Sequence, residues 1–217
     1  MDGTRFSELY SAYAAGRLDP AFALMVETQG ALRPDVRQSV AASEAVAGAF
    51  LEQQAATGLK EDALDRAFAA IDALETADIR TPARPPAANP ELDALPDPLR
   101  ALAAEAAGKG GWKMAAPGIR RLALDAGSAL DMELYRIEPG ARVPRHTHSG
   151  SEYTLVVSGG FSDETGSFGP GDMVVKGPDD THQPVGDADG ICFALAIRDG
   201  GLKFTGMMGV IQRLFGG

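Results

Sequence analysis

Histidine and cysteine are scarce in this sequence, which has three histidines and one cysteine, Cys192, among 217 residues. A single cysteine excludes an internal disulfide framework. No apolar run approaches the roughly 18 residues that a membrane-spanning helix needs. The N-terminal residues also lack the basic and then apolar pattern of a signal peptide. We therefore expect a cytoplasmic protein that makes no contact with a membrane.

Positive charge is scarce in the first half of the chain. Residues 1–98 carry 8 Lys and Arg against 16 Asp and Glu, whereas residues 99–217 carry 12 against 14. An acidic segment is poorly suited to contact nucleic-acid phosphates. It suits either a solvated surface that aids solubility or a basic protein partner, because opposite charges accelerate encounter. The sequence therefore predicts no direct binding of nucleic acid.

Helical patterns occupy residues 4–75. Asp19 is a candidate N-cap and is followed by Pro20, which suits the first position of a helix. Farther along, Leu64, Phe68 and Ile71 recur at the spacing of one helical face. Four short amphipathic helices of this kind predict a small bundle.

The composition and pattern of the sequence change twice after these helices. Residues 77–98 contain six prolines, which predict an extended linker because proline lacks the backbone donor. From about residue 111, short alternating apolar runs are broken by Gly, Pro and Asp, as in β-sandwiches and barrels. The predicted fold class is α+β, with a helical domain in residues 1–76, a linker in 77–98 and a β domain in 99–217.

All three histidines fall on one pattern that suits a metal. The stretch "GARVPRHTHSGSEYTLVVSGG", residues 140–160, holds His146 and His148 two residues apart, with Glu152 four residues later. Residues two apart in a strand point to the same face. Imidazole and carboxylate ligands suit Zn, Fe, Mn or Ni. A fourth ligand is expected from a neighbouring strand, and His182 is the remaining histidine. A His-x-His pair alone is also typical of surface histidines, but the full spacing indicates a metal site.

These residues also carry a family resemblance. Residues 140–159 resemble the first cupin motif, and residues 171–182 resemble the second, although the loop 178–182 is one residue shorter than usual. The resemblance implies a small β-barrel, the double-stranded β-helix, that binds one divalent metal. Carried over residue by residue, the ligands are His146, His148, Glu152 and His182.

The first half carries a second resemblance. Residues 9–37, "LYSAYAAGRLDPAFALMVETQGALRPDVR", are similar to the helical domain of ChrR-type anti-sigma factors, in which such a domain precedes a cupin. Residues 159–172 and 182–196 also resemble that family. The resemblance implies that residues 1–76 bind an extracytoplasmic-function sigma factor and keep it from core RNA polymerase. It further implies that the cupin domain, with zinc as the favoured metal, is needed for an oxidative signal to release the sigma factor.

One departure from that family concerns its N-terminal zinc. The family holds this zinc with an early histidine and a His-x3-Cys-x2-Cys run, whose positions fall here on Gln29, Arg33 and Val36. The chain has no histidine before residue 146 and no cysteine before residue 192. We therefore expect no zinc in this domain. We expect an apolar interior to stabilise the domain in place of this zinc, with Val36 filling the position of one zinc ligand.

Other functions remain compatible with the sequence. A dioxygenase-type cupin metalloenzyme could act on a small molecule, with the helices serving oligomerisation, and a non-catalytic cupin could sense a small ligand. A homodimer through the cupin domain is a further expectation. Four protein ligands would close a tetrahedral zinc site, which favours a regulator over an enzyme. Cys192 lies in an apolar run and is expected to be a buried packing residue.

Overall fold

The computed structural model describes residues 6–77, 90–200 and 202–204. The helices are α1 (Ser7–Ala14), α2 (Pro20–Leu32), α3 (Pro34–Glu52), α4 (Ala63–Ala77), α5 (Pro90–Asp93) and α6 (Leu99–Lys109). Residues 78–89 of the predicted linker lie outside the described residues. None of the helices in the described part of the chain is both long and apolar enough to cross a bilayer.

The helices begin where local chemistry favours them. The side chain of Asp19 accepts a hydrogen bond of 2.9 Å from the Ala21 amide, and Pro20 occupies the first turn of α2. This confirms the predicted N-cap. A buried cluster of Tyr10, Val26 and Val36 joins α1, α2 and α3, so Val36 does contribute to an apolar interior.

The fourth helix differs from the predicted bundle. Leu64, Phe68 and Ile71 do share one face of α4, but their exposed fractions are 66%, 57% and 52%. The apolar interior described for α1 to α3 therefore does not bury this face. Amphipathic spacing identified the helix correctly, but it could not indicate which surface, if any, covers the apolar side.

The second half of the chain is built from antiparallel strands. They are β1 (Lys113–Ala116), β2 (Ile119–Leu124), β3 (Asp131–Ile137), β4 (His146–His148), β5 (Glu152–Ser158), β6 (Phe161–Asp163), β7 (Gly166–Phe168), β8 (Met173–Lys176), β9 (Val185–Gly186), β10 (Cys192–Arg198) and β11 (Leu202–Phe204). A six-stranded sheet has the order β1-β2-β3-β10-β5-β8, and smaller sheets have the orders β11-β4 and β7-β6-β9. The short apolar runs thus form strands as predicted.

The large sheet has apolar side chains on both faces. Its inner face contributes Val156, Cys192 and Ala194 to a core shared with Phe161 and Phe168 of the small β6/β7 sheet. The outer face packs against the helices in a second core. The helices contribute Ala21, Leu24 and Met25 of α2, and Leu99 and Ala103 of α6, to this core. The fold is therefore a β domain with helices packed on one side.

Part of the segment predicted as a linker belongs to this second core. Leu92 and Leu95 are 1% and 3% exposed and pack with the outer face of the large sheet. Apolar burial of this kind fixes residues 90–98 against the β domain. The domain boundary at residue 98 remains a prediction.

Candidate metal centre

The two predicted ligand segments lie next to each other in the fold. The short strand β4 carries His146 and His148, and β5 begins at Glu152. His182 pairs with His146 through two backbone hydrogen bonds of 3.1 and 3.0 Å. The shorter loop before His182 thus still brings this residue beside β4.

The four predicted side chains converge on one point. Ligand atoms of His146, His148, Glu152 and His182 all lie within 4.8 Å of one another. Nε2 of His182 is 3.1 Å from Nε2 of His146 and 3.1 Å from Nε2 of His148. Oε1 of Glu152 is 3.9 Å from Nε2 of His148. All four residues are buried, with an exposed fraction of 7% at most.

Two of the imidazoles have partners that fix their tautomers. Nδ1 of His146 is 2.8 Å from the carbonyl oxygen of Pro144, which can only accept, so Nδ1 carries the proton. Nδ1 of His182 is 3.2 Å from Oδ2 of Asp163. Burial alone would raise the pKa of Asp163, but hydrogen bonds from Thr165 and Lys176 lower it to about 2. This carboxylate is therefore ionised and accepts a hydrogen bond from Nδ1 of His182.

These contacts leave a group of buried nitrogens that would suit a cation. Nε2 of His146 and Nε2 of His182 lie 3.1 Å apart, and the other ring nitrogen of each histidine faces an oxygen acceptor. Burial lowers the pKa of His146 to about 4 and also lowers that of His148, so burial opposes a proton on either ring. Metal–nitrogen bonds of about 2.0–2.1 Å would place nitrogens about 3.3 Å apart around a tetrahedral ion. The nitrogen spacing and the donor set both fit a transition metal.

A buried arginine, Arg198, contacts the Glu152 oxygen that does not face the histidines. Nη1 of Arg198 is 3.4 Å from Oε2 of Glu152 and 2.8 Å from the Tyr135 hydroxyl. Nη2 of the same guanidinium donates to Glu133. Arg198 is 6% exposed, so its charge is compensated by two carboxylates rather than by water. The guanidinium leaves Oε1 of Glu152 directed towards the histidines.

The sequence interpretation missed Asp163 and Arg198. Arg198 follows Ala194 and Ala196 at intervals of two in β10, so strand alternation could have placed it on the inner face. Asp163 gave no local signal, because its contact with His182 joins residues 19 apart in the chain. A carboxylate on the second nitrogen of a ligand histidine orients the ring and raises its basicity.

The N-terminal positions that correspond to zinc ligands in the resembled family have other contacts here. Gln29 accepts a hydrogen bond of 3.0 Å from the Tyr10 hydroxyl and donates one of 3.0 Å to the carbonyl of Gly171. Arg33 forms an ion pair with Asp35. Amide and guanidinium side chains at these positions make contacts within the protein rather than offering the soft ligands of a zinc site.

Cys192 is fully buried in the inner core of the β domain. Burial, with a smaller contribution from Asp187, raises the pKa of its thiol to about 12. Thiolates are the reactive form of cysteine. The packing role predicted from the sequence is consistent with this environment.

Comparison with known proteins finds relatives that match both halves of the chain. A family profile described as the ChrR cupin-like domain matches residues 104–198. The anti-sigma-E factor ChrR of Cereibacter sphaeroides is 34% identical over 200 residues, which cover 92% of this chain and 91% of that protein. A crystal structure of Rhodobacter sphaeroides SigE in complex with the anti-sigma ChrR matches with a TM-score of 0.68 and 30% identity. That match covers 89% of this chain and 96% of the matched chain.

Proposed function

Because this chain belongs to the ChrR family of anti-sigma factors, we propose that it captures an extracytoplasmic-function sigma factor through residues 1–76 and releases it on an oxidative signal. The chain and the relative named an anti-sigma factor match over nearly their full lengths. The structural relative is in complex with a sigma factor. Capture requires the compartment of RNA polymerase, so the proposed location is the cytoplasm.

The observation that carries the proposal is an exposed apolar surface on α3 and α4, which we call the apolar helical face. Its members are Val46, Phe50, Leu51, Leu64, Phe68, Ile71 and Leu74. Each of these side chains is at least 52% exposed. Leu64, Phe68 and Ile71 follow one another along one side of α4, and grouped exposed apolar side chains of this kind are typical of protein-binding sites. In the proposal, the sigma factor covers this face.

Charge would assist the encounter between the two proteins. Residues 1–98 carry a net charge of −8, and surfaces of a sigma factor that contact DNA or polymerase are expected to be basic. Opposite fields raise association rates, whereas apolar anchors supply most of the binding free energy. The acidic helices would therefore steer the sigma factor, and the apolar helical face would retain it.

The second part of the proposal assigns the cupin domain to sensing. His146, His148, Glu152 and His182 would hold one divalent metal, and zinc is the metal we propose. A zinc ion with these four ligands would link β4, β5 and the segment that contains His182. Asp163 would orient His182, and Arg198 would orient Glu152.

Side-chain contacts connect the candidate metal centre to the helices. Glu152 and Tyr153 are adjacent in β5, and the Tyr153 ring packs edge-on against Phe22 of α2 at 4.8 Å between centroids. Alternate residues of a strand face opposite sides, so a displacement of β5 at Glu152 would also move Tyr153. In the proposal, loss of metal coordination would disturb α2 by this route.

Co-purification tests the capture step. The full chain is co-expressed with each extracytoplasmic-function sigma factor of its host, purified by a tag on the sigma factor, and then added to transcription reactions with core polymerase. The proposal predicts a one-to-one complex with at least one of them and inhibition of transcription from its promoter. Failure to bind every sigma factor tested would reject this function.

A further inference from the structure

An apolar cavity opens beside the metal centre, between the large sheet and the small sheets. Its volume is about 90 Å³, measured as the space open to the centres of water-sized molecules. Ile119, Ile137 and Val174 line its walls, together with Ala194 and Ala196 of β10. His146, Glu152 and His182 form part of the same lining. The cavity therefore extends from the candidate ligands into an apolar interior.

Small side chains on the central strand maintain this space. Ala194 and Ala196 lie on the cavity face of β10, whereas Leu195 and Ile197, on the opposite face, pack into the core beneath the helices. Protein interiors are normally filled at the density of organic crystals. Two alanines at the centre of a well-packed sheet thus leave room that larger aliphatic side chains would fill.

The polar groups of the cavity lie together and already have partners. The Tyr135 hydroxyl donates to Glu133 at 2.6 Å and accepts from Arg198. The Thr154 hydroxyl donates to Glu152 at 3.3 Å. The other lining residues in the described part of the chain carry no charge. A polar group entering this cavity therefore has the metal centre as its available anchor.

Charge determines which polar group suits that anchor. Three neutral imidazoles and one carboxylate leave a divalent metal with a net charge of +1. An anionic oxygen would neutralise this charge, and an apolar body would match the walls. We propose that the cavity binds a small molecule with an apolar body and one anionic oxygen that joins the four protein ligands as a fifth ligand of the metal. This rests on the proposed function, in which it supplies the ligand class that the sensor domain recognises.

Cobalt provides a direct readout of such binding. The full chain is loaded with one equivalent of Co²⁺, and the visible absorption of the ion is followed during titration with acetate, butyrate, hexanoate and benzoate. The proposal predicts that affinity rises about fourfold for each methylene added between acetate and hexanoate. Equal affinities along the series would indicate binding to the metal alone and would overturn the proposal.

A cavity variant tests where the apolar body lies. Ala196→Leu should weaken hexanoate binding at least tenfold and leave acetate binding and the cobalt spectrum unchanged. Ala194→Val is a milder second variant that should weaken hexanoate binding less. Ala123→Leu makes a similar change at an exposed position of β2 outside this cavity and should leave every affinity unchanged. Unchanged hexanoate affinity in folded Ala196→Leu and Ala194→Val would refute the assignment.

The two proposals fail in distinguishable ways. Sigma-factor capture is measured by co-purification without carboxylate, so its failure would leave the cobalt titration intact. A chain that captures a sigma factor and binds cobalt, but shows no dependence on carboxylate length, would reject only the ligand class. A chain that takes up no cobalt would overturn both the metal centre and the ligand proposal.

Discussion

At the scale of single residues, Glu152 has the most exacting role in the candidate centre. It is the only carboxylate among the four candidate ligands, and Arg198 contacts its second oxygen at 3.4 Å. The guanidinium and a metal would therefore share one carboxylate from opposite sides. This arrangement fixes the direction of Glu152 before any metal binds.

Replacement of this carboxylate should weaken metal binding. Glu152→Ala is expected to lower the metal content of the purified protein below one equivalent and to weaken affinity at least tenfold, because one of four ligands is lost. Elemental analysis after dialysis measures the content. Glu105→Ala removes an exposed carboxylate on α6 and should retain full content. An unchanged one-to-one content in Glu152→Ala would reject its role as a ligand.

Cys192 should be inert in the folded protein. Because burial raises its pKa to about 12, about one thiol in 10⁴ would be ionised at pH 8 even if solvent could reach it. Iodoacetamide at pH 8 is expected to leave the native chain unmodified and to modify the urea-unfolded chain fully, as read by mass spectrometry. Rapid modification of the native chain would contradict this environment and would favour a role for Cys192 as a thiol-based sensor.

At the scale of elements, α4 is a helix whose apolar side has no cover in the described structure. Phe68 is 57% exposed near the middle of that side. Phe68→Asp should leave folding intact, since the site is exposed, but should weaken sigma-factor binding by about 30-fold, the effect of a typical hot spot. Calorimetric titration of the purified sigma factor measures the change.

A matched substitution provides the control for this face. Met114 of β1 is 79% exposed and lies outside the apolar helical face, so Met114→Asp should bind the sigma factor as tightly as the unmodified chain. Equal losses in both variants would indicate a general effect of added negative charge. No loss in Phe68→Asp would place the binding surface elsewhere.

The second helix connects the helical segment to the β domain. Gln29 is 4% exposed and bridges Tyr10 of α1 to the carbonyl of Gly171 in the turn before β8. Gln29→Leu should lower the free energy of unfolding by about 1–3 kcal/mol, because both partners would be left unsatisfied. Urea denaturation measures the change.

The control for Gln29 is an exposed glutamine. Gln54 follows α3, and its side chain donates a hydrogen bond of 3.3 Å to the carbonyl of Phe50 in the same helix. Gln54→Leu should change the free energy of unfolding by less than about 0.5 kcal/mol. Similar effects of both substitutions would show that the Gln29 bridge contributes nothing specific.

At the scale of the whole molecule, the metal should stabilise the fold. Binding to the native state alone, at a free metal concentration about 100 times the dissociation constant, adds about 2.7 kcal/mol. For a chain of this size that corresponds to a rise of roughly 5–11 °C in melting temperature. Calorimetry of the zinc-loaded and chelator-treated protein measures this shift. Identical melting temperatures, with metal content verified, would contradict a metal shared by three β segments.

The sequence by itself determined the features that depend on neighbouring residues. Strand alternation placed His146 and His148 on one side, and the capping preference of Asp19 located the start of α2. The residue types Gln29, Arg33 and Val36 were enough to predict that soft zinc ligands are missing from the helices. Such features are local because helix and strand periods are set by the backbone itself.

Only the tertiary structure decided which distant residues meet. The pairing of the His182 segment with β4, the contact of Asp163 with His182 and the support of Glu152 by Arg198 all join residues far apart in sequence. The exposure of α4, the burial of the segment around Leu92 and the cavity beside Ala196 likewise depend on how layers pack. Long-range strand register and side-chain packing set these contacts, and no period within the sequence encodes them.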